Sequence, residues 1–97
     1  NPITMEQVQR VVADHFDVRL ADLRGQSRQR QVVIPRQIAM YLCKTQIPSI
    51  SLKDIGEQFG GKDHTTVLHA CDKIHREIDR NPTIRQTVDQ LTKALRS

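Results

Sequence analysis

Apolar residues recur at three- and four-residue spacing along most of the chain, and no segment alternates apolar and polar as a half-buried strand does. The first run is Met5, Val8, Val12 and Phe16, one face of a helix. Thr4 and Gln7 form a capping-box pattern in front of it, with Ile3 and Val8 at staple positions. The helix is therefore expected to start at Thr4 and to end between His15 and Asp17. Leu20 to Leu23 reads as one short helical turn, with Gly25 as a left-handed stop. Residues 26–31, QSRQRQ, carry no periodicity and read as a loop. Pro35 suits the first turn of the next helix, where a missing N–H does no harm. Ile38, Tyr41 and Leu42 give that helix its buried side, and Ile47-Pro48-Ser49 ends it.

Ser51 then caps a short helix, with Asp54 three residues on and Leu52, Ile55 and Phe59 as an apolar stripe. Gly60-Gly61 breaks it. Asp63 caps a long helix with Val67, Cys71, Ile74 and Ile78 facing inward, closed by Asn81-Pro82. Ile84, Val88, Leu91 and Leu95 form the inner face of a last helix. The expected fold is all-α, a compact bundle of about six helices. The 97 residues suit one domain, 1–97, with a modest core.

Composition narrows the function. Aromatic residues make up only 3% of the chain (Phe16, Tyr41 and Phe59), too few for a platform that stacks single-stranded bases. The net charge of +4 favours an anionic partner. That charge is unevenly placed. Arg24, Arg28, Arg30, Arg36, Lys44 and Lys53 occur between Leu23 and Lys53 without an acidic residue, and the rest of the chain is slightly acidic. Cys43 and Cys71 lie in helical patterns with no CxxC spacing, as buried thiols in a reducing compartment do. No apolar run is long enough to cross a membrane, and no signal-peptide pattern occurs. Asn1-Pro2 reads as a cut inside a longer chain. A cytoplasmic location is expected.

The segment from Ser51 to Ala70, SLKDIGEQFGGKDHTTVLHA, is a capped short helix, a glycine turn and a second helix: the layout of a helix-turn-helix. The second helix opens with Asp63, His64, Thr65 and Thr66, polar side chains where a packed helix would place an apolar one. A recognition helix presents such side chains to base edges in the major groove. The threonines offer a methyl to thymine and a hydroxyl to base or phosphate, and Asp63 can accept from cytosine N4. His64 can donate to a base acceptor or to phosphate. Asp63 is equally suited to plain N-capping, and both readings stand at this point.

FGGKDHTTVLHA, followed by Lys73-Ile74, resembles the signature of the DnaA family of bacterial replication initiators. A second match in register runs through Arg28 and Arg30 to Val32-Val33, then Pro35-Arg36-Gln37-Ile38-Ala39-Met40. The resemblance spans nearly all of the chain and is strongest from Arg28 to Ile74. It implies a Trp-repressor-like helix-turn-helix that binds double-stranded DNA at DnaA boxes of a replication origin. It further implies that Arg28 reads the minor groove while Asp63, His64 and Thr65 read the major groove. Arg30, Arg36, Gln37, Lys44 and Thr66 match positions near phosphates, and Leu52 and Lys53 match the approach of the first motif helix. The chain departs from the family at Lys53, where Pro is frequent, and at Lys62, where Arg is frequent. Both are carried as supporting cations. The resemblance places the family's ATPase, with its ATP and Mg²⁺, upstream of this segment, and contacts to other initiator subunits outside it. This segment is expected to need no cofactor, to hold no metal, and to associate with the nucleoid.

Three other readings are weighed. An enzyme would need a constellation, but His64, His69 and His75 are spaced five and six apart, unlike the i, i+4 pair of a helical metal site. A protein-interaction module would use the terminal helices, whose apolar stripes are already explained as scaffold. A Trp-repressor-like dimer would need an extra apolar face, and none is evident. A monomer on an asymmetric site is expected.

Overall fold

A computed structural model describes residues 2–26 and 28–97. Six helices follow one another: α1 (Met5–Phe16), α2 (Leu20–Arg24), α3 (Arg30–Gln46), α4 (Leu52–Gln58), α5 (His64–Arg80) and α6 (Pro82–Arg96). No strand occurs among the described residues. The fold is the all-α bundle expected. The long helices α3 and α5 pack on each other at its centre. α1 lies across α3 and α6, α2 bridges α1 and α3, and α4 packs on α5.

Local signals account for most boundaries. The Thr4 hydroxyl accepts from the Gln7 N–H at 3.1 Å, the first half of the capping box; the reverse bond from the Gln7 side chain is not formed among the described residues. α1 ends in a Schellman motif: Asp17 takes a left-handed φ of 53°, and the N–H groups of Asp17 and Val18 return to Asp14 and Ala13. Ser51 caps α4 through the Asp54 N–H at 3.0 Å. Asn81 closes α5 as expected, and its side chain also starts α6 by accepting from Thr83 and Ile84 N–H ahead of Pro82 at the first helical position.

Three expectations are corrected. Helix α3 begins at Arg30, so the loop is shorter than residues 26–31 and Pro35 is internal to the helix. Proline there withholds one bond from the Gln31 carbonyl, on an exposed turn where water can replace it. Gly25 is not left-handed: its φ is −91°, and glycine is required instead because a Cβ would lie 2.9 Å from the Ala21 carbonyl oxygen. Asp63 occupies the N-cap position of α5, but its carboxylate makes no capping bond.

The core is aliphatic, as the low aromatic content requires. Val8, Val12, Leu23, Ile38, Leu42, Ile55, Val67, Ile74, Leu91 and Leu95 share one buried cluster with Phe59, which is fully buried. Burying one such side chain contributes roughly 1.5–3 kcal/mol. Cys43 and Cys71 are buried and unpaired, and desolvation pushes their thiols up, to about 12 and about 11. The apolar stripe of α6 ties the C-terminal end back onto α1 and α3. No described helix is long and apolar enough to cross a membrane.

Candidate nucleic-acid interface

Helices α4 and α5 meet at a turn that favours glycine. Gly60 and Gly61 have φ of 84° and 74°, in the left-handed region. Gly56, inside α4, lets the chain fold back on itself: its carbonyl accepts the Lys62 N–H at 2.9 Å, and a Cβ on it would fall 2.0 Å from the Lys62 carbonyl oxygen. Gly60 is doubly constrained, because a Cβ there would also lie 2.4 Å from the Arg24 carbonyl oxygen. The turn is therefore pressed onto the end of α2.

Polar bonds lock that contact. The Gln26 side chain donates to the Gly60 carbonyl at 2.9 Å and accepts from Lys62 Nζ at 3.1 Å; Lys62 also donates to the Gly25 carbonyl at 3.3 Å. Beneath them, fully buried Gln9 donates to the Gln58 carbonyl at 2.7 Å and accepts from Arg24 Nε at 2.8 Å. Arg36 is only 6% exposed; its Nε and Nη2 donate to the Leu23 and Asp22 carbonyls at 2.9 and 2.7 Å, capping the C-terminus of α2. Gly25 and Gln26 are thus bonded to the turn before α5, and side chains from α1 and α3 brace α2.

The sequence-predicted residues divide in space. Asp63, His64 and Thr65 stand exposed at the N-terminus of α5, and His64 Nδ1 lies 2.9 Å from Asp63 Oδ1. If Nδ1 carries the proton toward Asp63, Nε2 is left to accept from a base amine; a protonated ring donates from Nε2 instead. Arg28, Arg36, Lys62 and Thr66 line one groove of about 360 Å³ together with Gln26, Val33 and Gly61. A second groove of about 430 Å³, between α3 and α5, shares Arg36, Lys62 and Thr66 and adds Gln37. Arg30, Lys44 and Lys53 are exposed but line neither groove, and Leu52 is half-buried against the core. A larger concavity of about 940 Å³ lies away from these cations, between the two ends of the chain and the end of α3.

The electrostatics of the first groove favour an anion. The Lys62 ammonium is held below its usual range by partial burial and by the nearby charges of Arg36 and Arg28. Burial likewise lowers Arg36. Like charges brought together this way are stabilised when a phosphate arrives. Pairing elsewhere is the reverse: Arg10 bonds Glu6 and Arg19 bonds Asp22, with charge-assisted distances of 2.8 and 3.1 Å. Arg85 donates to the Ile78 carbonyl and Arg96 to Gln46. Among the described residues, Arg30, Lys44, Lys53, Lys73 and Arg76 have no hydrogen bond or ion pair. The described residues contain no cluster able to hold a metal ion.

Sequence reasoning missed Gln9, Gln26 and Gly56 as organisers of this region. Gly56 gave a signal, a glycine interrupting an otherwise helical pattern. Gln9 gave a fainter one, beside Val8 and four residues before Ala13 on the inward side. Gln26 gave none.

Residues 5–74, from α1 well into α5, match the family described as the bacterial dnaA protein helix-turn-helix. The chain is 50% identical over 93 residues to the chromosomal replication initiator protein DnaA of Lactobacillus delbrueckii subsp. bulgaricus, covering 96% of this chain and 20% of that protein. It is 45% identical over 95 residues to the DnaA of Symbiobacterium thermophilum, covering 98% of this chain and 20% of that protein. A solved structure described as the crystal structure of a DNA replication initiation factor superimposes with a TM-score of 0.81 at 34% identity, over 94% of this chain and 27% of that one. The chain therefore spans about one fifth of the length of its curated relatives, and the part it shares with them is the helix-turn-helix rather than the ATPase region. On this agreement of family, identity and fold, the chain belongs to the bacterial DnaA helix-turn-helix family.

Proposed function

We propose that this domain binds duplex DNA at DnaA boxes by reading both grooves. Family membership implies DNA binding in replication initiation; the division of labour among side chains is our reading. Asp63, His64 and Thr65 at the start of α5 enter the major groove, and Arg28 enters the adjacent minor groove. A narrow minor groove has enhanced negative potential that attracts a guanidinium, but its code hardly distinguishes A·T from T·A. Sequence is then read mainly by α5. Thr66, Lys62, Gln37, Arg30, Lys44 and Lys53 contact or face phosphates, and Arg36 supports the loop from beneath.

The observation that carries this reading is the tie between Gln26, Lys62 and Gly60. It ties the chain two residues before Arg28 to the turn that precedes α5, which supports simultaneous use of two grooves. The 97 residues act as one monomeric unit on an asymmetric site. ATP, Mg²⁺ and contacts with other initiator subunits belong to the rest of a longer, nucleoid-associated cytoplasmic protein.

Fluorescence-anisotropy titration of the domain against a DnaA-box duplex and a scrambled duplex, each at two salt concentrations, tests the proposal. Preference for the box that persists at the higher salt supports it. Equal and steeply salt-dependent binding to both would leave the cations acting without sequence readout and would overturn it.

A further inference from the structure

Beyond the first turn of α5, the groove between α3 and α5 continues along cations that neither the motif nor the base-reading residues account for. Its wall on α5 runs Thr66, His69, Lys73 and Arg76. These residues recur at three- and four-residue intervals, so they form one stripe about three turns long. Lys73 is half-buried and Arg76 exposed, and neither makes a hydrogen bond or ion pair among the described residues. Asp72, four residues before Arg76, does not pair with it and does not line the groove. Opposite the stripe, the buried Oε1 of Gln37 has no hydrogen-bond partner among the described residues. A buried polar atom left unsatisfied is costly. At its near end the groove shares Arg36, Lys62 and Thr66 with the groove that holds Arg28.

We propose that this groove is a track for one strand's phosphodiester backbone, with Lys73 and Arg76 as its outer contacts. The strand passes from the Arg28 segment, beside Thr66, and out over the second half of α5. The occupant is argued from charge: Arg36, Lys62, Lys73 and Arg76 line the groove, with no carboxylate among the residues that line it. The inference rests on the DNA-binding reading but not on base recognition, because phosphate contacts fix register without carrying sequence.

The test is the salt dependence of binding by Lys73→Ala, Arg76→Ala and their double variant, on box and scrambled duplexes. Each lost phosphate contact lowers the slope of log K against log[salt] by about 0.9. The expected result is a decrease near that size for each single variant and about twice that for the double, on both duplexes. Arg80→Ala serves as the control: it removes an exposed cation, unpaired among the described residues, one turn further along α5 and outside the groove. Circular dichroism and thermal melting establish that each variant is folded. Unchanged slopes for Lys73→Ala and Arg76→Ala would overturn the proposal. So would an equal decrease for Arg80→Ala, which would mean diffuse attraction rather than a track. Failure of the parent domain to prefer the box would be a separate result against sequence readout, and the slopes would still be measurable.

Discussion

Lys62 Nζ donates to Gln26 Oε1 at 3.1 Å, joining the turn of the helix-turn-helix to the loop that carries Arg28. The two residues are 36 positions apart in the chain, so the bond reports tertiary placement rather than local geometry. In the proposed mode of binding it holds two reading elements in one register. Gln26→Ala should therefore weaken box binding by on the order of 1 kcal/mol, the usual net value of a hydrogen bond. Thermal stability should change little, because Gln26 is exposed. The Gln26→Ala and Arg28→Ala losses should be less than additive, since a loosened loop already misplaces the arginine. A double-mutant cycle read by anisotropy checks this; strict additivity would show that the tie does not position Arg28.

Asp63 allows capping and readout to be separated. Its carboxylate makes no capping bond and instead lies beside His64. Asp63→Ala should leave the melting temperature nearly unchanged, whereas removal of a capping Asp typically costs about 1 kcal/mol. Box affinity should fall by about 1–3 kcal/mol, the range for a good base contact. Paired melting and anisotropy measurements check it. A stability loss without a change in the ratio of box to scrambled binding would return Asp63 to the role of a cap.

Arg28→Ala and His64→Ala should each cut binding to the box far more than binding to a scrambled duplex. Lys44→Ala should weaken both about equally, because a phosphate contact carries no sequence information. Titration of the three variants against both duplexes gives the ratios; equal losses throughout would undo the assignment of roles.

Gly56→Ala should destabilise the fold. The added Cβ would meet the Lys62 backbone oxygen at 2.0 Å, and a main-chain atom cannot rotate away as a flexible side chain can. Overpacking of this kind typically costs about 1–3 kcal/mol. Gly61→Ala meets nothing within 4 Å but keeps a φ of 74°, so its cost should be limited to left-handed strain, roughly 1–2 kcal/mol. Urea denaturation of both variants tests the order: Gly56→Ala should be at least as destabilised as Gly61→Ala.

The buried thiols predict a loss of stability in alkali. Burial holds Cys43 protonated to about 12 and Cys71 to about 11 in the folded chain, while unfolded thiols ionise near pH 8.5–9. Between those limits the unfolded chain has released protons that the folded chain retains. Their contribution is complete below the unfolded value and is lost progressively as pH rises through the folded ones. Urea midpoints should thus fall from about pH 9 upward, at a slope of up to about 1.4 kcal/mol per pH unit for each thiol. At pH 8, iodoacetamide should label both cysteines only when urea is present. Rapid labelling of the native domain would show that the thiols are accessible.

Much of this molecule is legible in one dimension. The stripes of α1, α5 and α6, the caps at Thr4 and Ser51, and the glycine break before α5 all lie within a few residues of the structure they specify. The exposed start of α5 is legible for the same reason: four consecutive polar residues stand where packing would want an apolar one. Boundaries failed where a local rule had a competitor. Proline's preference for a first turn predicts Pro35 there, yet α3 gains enough burial through Val32, Ile38 and Leu42 to begin at Arg30 and carry the proline inside. A glycine after a helix predicts a left-handed φ, but Gly25 is present for its lack of a Cβ.

Periodicity and capping depend on neighbours in sequence, and they suffice to set six helices, an aliphatic core and a helix-turn-helix. Long-range polar pairing depends on which backbone groups the folded chain leaves facing each other, and no spacing encodes it. Only the tertiary structure therefore decides that Gln9 is buried between α1, α2 and α4, that Arg36 serves the carbonyls of α2, and that Gln26 and Lys62 hold the basic loop beside the recognition helix. Each of these groups must satisfy hydrogen bonds once water is excluded, and their partners exist only after α2, α4 and α5 have packed together.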